Sequence, residues 1–169
     1  MKLNKLTVIL ALAACLLPSC SKDSLKIDGS SLKINSALIY YEGYTEPGDI
    51  LDNGGYFYSI MLSDAANPEI LENEDFDNNV SFLFDCQIAI PDKKFSGEFP
   101  FKYGEYDGYY VYATYISLEH GSINFTEGTL KLKQNGDTYT IKFNGTGEDG
   151  ESITLKYSGK AKYIDESEN

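Results

Sequence analysis

The chain of 169 residues holds a single histidine, His120, inside Glu119-His120-Gly121-Ser122, where an acid, a base and a hydroxyl fall within four positions. These are the residue types of a nucleophilic triad. Neighbours along a strand point to opposite faces, however, so adjacent side chains do not form a relay, and His120 reads as a solvent-exposed turn histidine. Glycoside hydrolysis needs two carboxylates at a set separation. Among 26 acids some pair satisfies any separation, so that pattern discriminates nothing. Asp52-Asn53-Gly54-Gly55 and Gly145-Thr146-Gly147 precede strands rather than helices, which argues against a phosphate-binding loop. On these grounds the chain is read as a non-enzyme.

Two constellations point instead to binding. In the run 72–79, seven of eight side chains carry oxygen, and Asp75, Asp77 and Asn79 have the alternate spacing by which a loop presents oxygens to one hard cation such as calcium. A calcium helix-loop site would require glycine where Val80 stands and glutamate where Cys86 stands, so a solvated acidic loop is preferred and no cofactor is expected. The second constellation is Tyr103, Tyr106, Tyr109, Tyr110, Tyr112 and Tyr115. Aromatic faces stack on sugar rings and apolar ligands, which makes Tyr106, Tyr109, Tyr110, Tyr112 and Tyr115 the candidate ligand residues. Tyrosine is also a favoured strand residue, and the sequence has no tryptophan, so a purely structural role is the competing reading.

The elements that must position these residues are strands. Apolar residues recur with period two, giving expected strands at 37–41, 56–62, 80–90, 95–103, 109–118, 130–133, 138–143, 153–157 and 160–164. Asn135-Gly136 joins two of them as a hairpin. One face of the C-terminal strands carries Leu130, Leu132, Tyr139, Ile141, Phe143, Ile153, Leu155 and Tyr157; the other is lysine and threonine, facing water. On the strand at 80–90, Phe82, Phe84, Cys86, Ile88 and Ile90 share a face, so Cys86 reads as a small buried hydrophobe. The expected fold is all-β: an antiparallel meander forming a two-sheet sandwich or a flattened up-and-down, lipocalin-like barrel.

The amino terminus supplies an address. Lys2 and Lys5 precede a largely apolar run over 6–17, the order of a secretory signal, and twelve residues are too few to span a bilayer. The run ends in Leu17-Pro18-Ser19-Cys20, followed by Ser21-Lys22-Asp23. This resembles the signals of small surface lipoproteins of Bacteroidetes bacteria. The resemblance implies a diacylglycerol thioether on Cys20, cleavage before it, acylation of the new amino group and display on the outer leaflet of the outer membrane. Cys15, in Leu12-Ala13-Ala14-Cys15, is the competing site; Cys20 is chosen because the apolar run continues through Leu16 and Leu17. Asp23-Ser24-Leu25 also matches the short motif at which these bacteria O-glycosylate exported proteins, with Ser24 as the acceptor. The stretch from Gly128 to Tyr163 further resembles the closing strands of such lipoproteins, which are lipocalin-like or sandwich-like, and transfers no catalytic residue.

The expected organisation is a signal over 1–19, an acylated polar tether over 20–36 and a single all-β domain over 37–169. Ser24-Leu25-Lys26-Ile27 recurs as Ser31-Leu32-Lys33-Ile34 around Asp28-Gly29, so a hairpin is the alternative to the tether. Cleavage leaves 12 lysines against 26 acids, a charge of −14 with no arginine. That balance argues against nucleic acid and against attachment through acidic lipid headgroups. With Cys20 acylated, Cys86 is the only thiol, so no intramolecular disulfide forms; Cys86 and His120 are the only soft ligands, too few for zinc. The functional expectation is a membrane-anchored, non-enzymatic binding protein, with a small apolar ligand in a barrel as the leading version, a glycan-binding sandwich using the surface tyrosines next, a structural or protein-interaction module as a further alternative, and a hydrolase as the outside class.

Overall fold

The computed structural model of the chain describes residues 23–49, 51–102, 109–117 and 121–167. Period-two patterning becomes strands almost throughout: β1 (Ser24–Ile27), β2 (Ser30–Lys33), β3 (Ser36–Thr45), β4 (Gly55–Ser63), β5 (Phe82–Ile90), β6 (Ser96–Lys102), β7 (Tyr110–Ser117), β8 (Gly121–Asn135), β9 (Thr138–Gly147), β10 (Ser152–Lys160) and β11 (Lys162–Asp165). The one described helix, α1 (Glu69–Glu72), is a single turn. Together the strands form one strongly curled mixed sheet, a half-barrel, in the order β11-β3-β4-β5-β7-β8-β9-β10-β1-β2, with β6 on β8. We call β11 to β7 the back leaf and β6, β9, β10, β1 and β2 the front leaf.

β8 belongs to both leaves. Its residues 121–124 pair with β7, and from Phe125 onward it pairs with β9. Between Phe125 and Glu127 the register slips by one, leaving Thr126 as a bulge whose hydroxyl donates to the carbonyls of Thr146 and Gly147. The slip also changes parity, so that Phe125 and Leu130 are both buried. Strict alternation cannot cross such a point, which is why the sequence marks only 130–133 of a fifteen-residue strand. A second slip, between Tyr41 and Gly43, extends β3 past the expected 37–41 in the same way.

The inner faces of the two leaves meet in one core. Phe125 lies 4.7 Å from Phe143 and 5.7 Å from Phe84, and Phe101 packs on Phe143. Gly128 and Gly145 stand opposite each other on β8 and β9, and a Cβ on either would come within 2.6 Å of the Phe143 ring. The glycine pair is thus the floor on which that ring lies. Cys86 is buried in the same core with Phe84 and Ile88, and burial pushes its thiol pKa well up. Smaller apolar clusters cover the outside of the back leaf: Leu71 and Ala65 from segment 64–81 pack on Leu38 and Leu83, and Leu51 packs on Phe57 and Ala89. Lys162 of β11 holds the first cover by ion pairs to Glu69 and Glu72 of α1.

Two expectations are corrected. The C-terminal strand does not continue the antiparallel meander. After Ala161 the chain leaves β10 and β11 joins the back leaf parallel to β3, with Tyr163 opposite Ile39. The region assigned to a tether is also largely domain. β1 and β2 form a hairpin that adds to β10, with Leu25 opposite Leu155 and Leu32 opposite Leu25. Asp28 and Gly29 both have positive φ, 47° and 84°, the conformation that a two-residue hairpin turn requires. Asp23 accepts from the Ser158 amide at 2.7 Å and from the Ile34 amide at 3.1 Å, so residues from Asp23 onward, not only those from residue 37, belong to the domain. Burial of Leu25 and Ile34 decides the matter, since a free tether leaves such residues in water. Leu25→Ala is therefore expected to lower unfolding stability by about 2–5 kcal/mol in denaturant titration; in a tether the same change would stay within roughly 0.5 kcal/mol.

Candidate functional site

The structure does not assemble the tyrosines that the sequence singles out. Along β7 they alternate between faces. Tyr115 faces inward against Phe82, at 6.1 Å. Tyr109, just before the strand, sets its ring edge on Phe99 at 5.3 Å and donates its hydroxyl to the Pro100 carbonyl. On the other face, Tyr110 packs beside Leu51 and Phe57, and the Tyr112 hydroxyl donates to Asn124 at 3.1 Å. Tyr106, like Tyr103 and His120, lies outside the described residues, as do the signal segment and Cys20. The tyrosines on β7 therefore form no common stacking row.

A different set of tyrosines does come together. The two exposed large hydrophobic side chains among the described residues are Tyr44, 49% exposed, and Tyr163, 41% exposed. An unbroken run of ring contacts joins them: Tyr44 to Tyr56 (5.2 Å), Tyr56 to Tyr41 (6.4 Å), Tyr41 to Tyr58 (5.1 Å), Tyr58 to Phe95 (5.4 Å), Phe95 to Tyr139 (5.6 Å) and Tyr139 to Tyr163 (6.4 Å, nearly parallel). The Lys93 ammonium sits 4.5 Å from the centre of the Tyr41 ring. Burial, with Asp165 nearby, pushes the Tyr163 hydroxyl up to about 12, and burial raises those of Tyr58 and Tyr139. These hydroxyls are thus neutral donors and acceptors at ordinary pH. The set escapes a sequence reading because it draws on β3, β4, β9, β11 and the connection between β5 and β6, brought together by two crossings between leaves.

The acidic run forms a turn over the back leaf. Asp75, Asp77 and Asn79 are all exposed, Glu74 and Asn78 have positive φ, and the Asn79 side-chain amide is spent on the Asp75 carbonyl at 3.0 Å. Among the described residues no three His, Cys, Asp or Glu side chains gather as a metal-binding group. A carboxylate pair stands on the outer face of the back leaf instead. Half-buried Asp85 has its pKa raised, first by burial and then by Glu42, which accepts a hydrogen bond from the Ser59 hydroxyl.

The front leaf carries the lysine and threonine face that the sequence foresees, and the register gives it a geometry. Glu98, Lys131, Lys142, Lys156, Ser24 and Lys33 are directly opposite one another on six neighbouring strands. Glu98 pairs with Lys131 at 2.9 Å, leaving Lys142 between two other lysines. A shallow groove of about 630 Å³ runs over this row; Thr129, Lys131, Lys142, Thr154 and Lys156 are among the residues that line it, with the Glu98 carboxylate at the Lys131 end. Like charges directly opposite across antiparallel strands are destabilising. The net charge of −12 therefore conceals a segregated cationic face. No protein-family model matches the chain, and no curated protein or solved structure matches it.

Two consequences follow for stability. Lys142→Glu replaces two like-charge contacts with attractive ones and is expected to raise unfolding stability by about 0.5–1 kcal/mol, read from the shift of the denaturant midpoint at low salt. For Asp85, a raised pKa in the fold means that the neutral acid is the favoured form; its contribution is complete below the ordinary carboxylate pKa and is lost as pH rises through the raised value. Asp85→Asn is accordingly expected to be more stable than the parent near pH 7 and equal to it near about pH 3.

Proposed function

We propose that the protein is a lipid-anchored binding protein of the outer membrane, attached through Cys20 and facing the cell surface, without enzymatic activity, and that it takes a glycan on the tyrosine-lined edge between Tyr44 and Tyr163. The observation that carries this reading is the ring-to-ring run whose two ends are the exposed Tyr44 and Tyr163. Sugar rings present apolar C–H faces ringed by hydroxyls. An aromatic face covers the first, and a neutral tyrosine hydroxyl meets the second. Rings anchored behind by Tyr41, Tyr56 and Tyr139 lose little freedom when a ligand arrives, which favours binding over an equally exposed but unsupported side chain.

An apolar ligand held inside a barrel has less support, because Phe84, Phe125, Phe143 and Ile141 already occupy the space between the leaves. The test is a glycan panel presented to the mature protein. The parent is expected to bind at least one neutral glycan, and Tyr44→Ala and Tyr163→Ala are each expected to weaken it roughly three- to tenfold, with Tyr112→Ala unchanged. Binding unaffected by both of the first two variants, or no binding by the parent, would overturn the assignment.

A further inference from the structure

The row of lysines on the front leaf and the position of β1, the first strand among the described residues, bear on one another. β1 lies in the front leaf, and its first residue, Ser24, stands in the row itself, between Lys156 and Lys33. Asp23 is fixed to Ser158 and Ile34. Only Ser21 and Lys22 separate it from Cys20. Three peptide steps reach at most about 10 Å, against the roughly 50 Å that a sixteen-residue tether would have allowed. Such a distance is comparable with the Debye length of about 8 Å at physiological salt, so charges on this edge of the domain feel the surface to which the anchor is attached.

We propose that the lysine face of the front leaf docks on the anionic phosphate headgroups of the membrane in which the protein is anchored. This rests on the reading that Cys20 is the acylated residue. Lys26, Lys33, Lys131, Lys142 and Lys156 all project from the side of the leaf opposite the core. The two leaves share that core face to face, so the acids of segment 64–81, over the back leaf, lie on the far side of the molecule. A mature chain of net charge −14, with 12 lysines against 26 acids, is repelled as a whole by an anionic surface but oriented by this separation, cationic side inward. The repulsion within the Lys131, Lys142, Lys156 row is relieved when phosphates sit between the ammonium groups. The groove between these side chains, flanked by Thr129 and Thr154, offers hydroxyls to the same oxygens. Nucleic acid is the poorer occupant, since the chain has no arginine to fork onto phosphates and the one aromatic residue lining this groove, Phe143, has its ring buried in the core, where it cannot stack on bases.

The test uses the mature acylated protein reconstituted into vesicles of phosphatidylcholine alone or with phosphatidylglycerol, followed by brief treatment with an amine-acetylating reagent and mass spectrometry of each lysine. Lys131, Lys142 and Lys156 are expected to react about fivefold more slowly on the anionic vesicles, with the difference removed by high salt. Lys93 and Lys94, on the connection between β5 and β6, are expected to react equally on both. Equal rates for the row on both vesicles, or protection of Lys93 and Lys94 to the same degree, would overturn the proposal. So would protection of the row by a soluble polyuronate but not by phosphatidylglycerol, which would make it a glycan site. If the purified chain does not float with phosphatidylcholine vesicles, the Cys20 reading fails. Docking is then read from co-sedimentation of that chain with phosphatidylglycerol vesicles: retention supports the face, and its absence removes it. The triple variant K131Q/K142Q/K156Q is expected to lose the phosphatidylglycerol effect while unfolding no more easily than the parent, which separates loss of docking from loss of fold.

Discussion

The structure depends on a single strand being allowed to serve two leaves. β8 carries fifteen residues, and the bulge at Thr126 lets its first part pair with β7 and its remainder with β9. Phe125, next to the bulge, is the point at which rings from both leaves touch, with Phe84 on one side and Phe143 on the other. No cross-link holds the described residues, and Cys86 is a free buried thiol. Cohesion therefore comes from burial of apolar side chains across the fold of the half-barrel, and that burial requires β8 to bend where it does. Without the bend, the lysine face would not lie opposite the acidic cover, nor would Tyr139 reach Tyr163.

Much of this architecture is legible in the sequence because strand alternation is a local signal. The buried face of β5, from Phe82 to Ile90, and that of β9 and β10 follow directly from period two. What escapes is whatever depends on pairing between distant segments. The parallel docking of β11 onto β3 leaves no trace in either strand. The bulges at Thr126 and near Glu42 are single-residue slips that interrupt the alternation rather than announce themselves. The β1–β2 hairpin is a closer case, since its repeat and its Asp28-Gly29 turn are visible. Two apolar residues per copy look too few to fold until β10 supplies Leu155 and Ile153 as their floor.

The candidate site divides along the same line. A tyrosine-rich stretch of sequence is not a tyrosine cluster in space, because a strand sends neighbours to opposite sides: Tyr115 joins the core while Tyr112 turns to Asn124. Tyr41 and Tyr44 share β3, but Tyr56, Tyr139 and Tyr163 come from other strands, and it takes the register of β3 on β4 and the packing of Phe95 between Tyr58 and Tyr139 to bring them into one run. Net charge misleads in an analogous way. Summed over the chain it is strongly negative, yet six-strand register gathers Lys131, Lys142, Lys156 and Lys33 into one row.

These surfaces take their relation to a membrane from where Asp23 is held in the fold. Asp23, hydrogen-bonded to β10, places the proposed anchor at the edge of the lysine face; a freely hinged tether would release the domain from any fixed orientation. Amide hydrogen exchange on the mature protein reads this directly. The amides of Leu25, Lys26 and Ile27, on the strand that lies between β10 and β2, are expected to exchange as slowly as the amides of β10 itself. Exchange of residues 24–33 at the rate of an unstructured chain, with β10 still protected, would contradict the account.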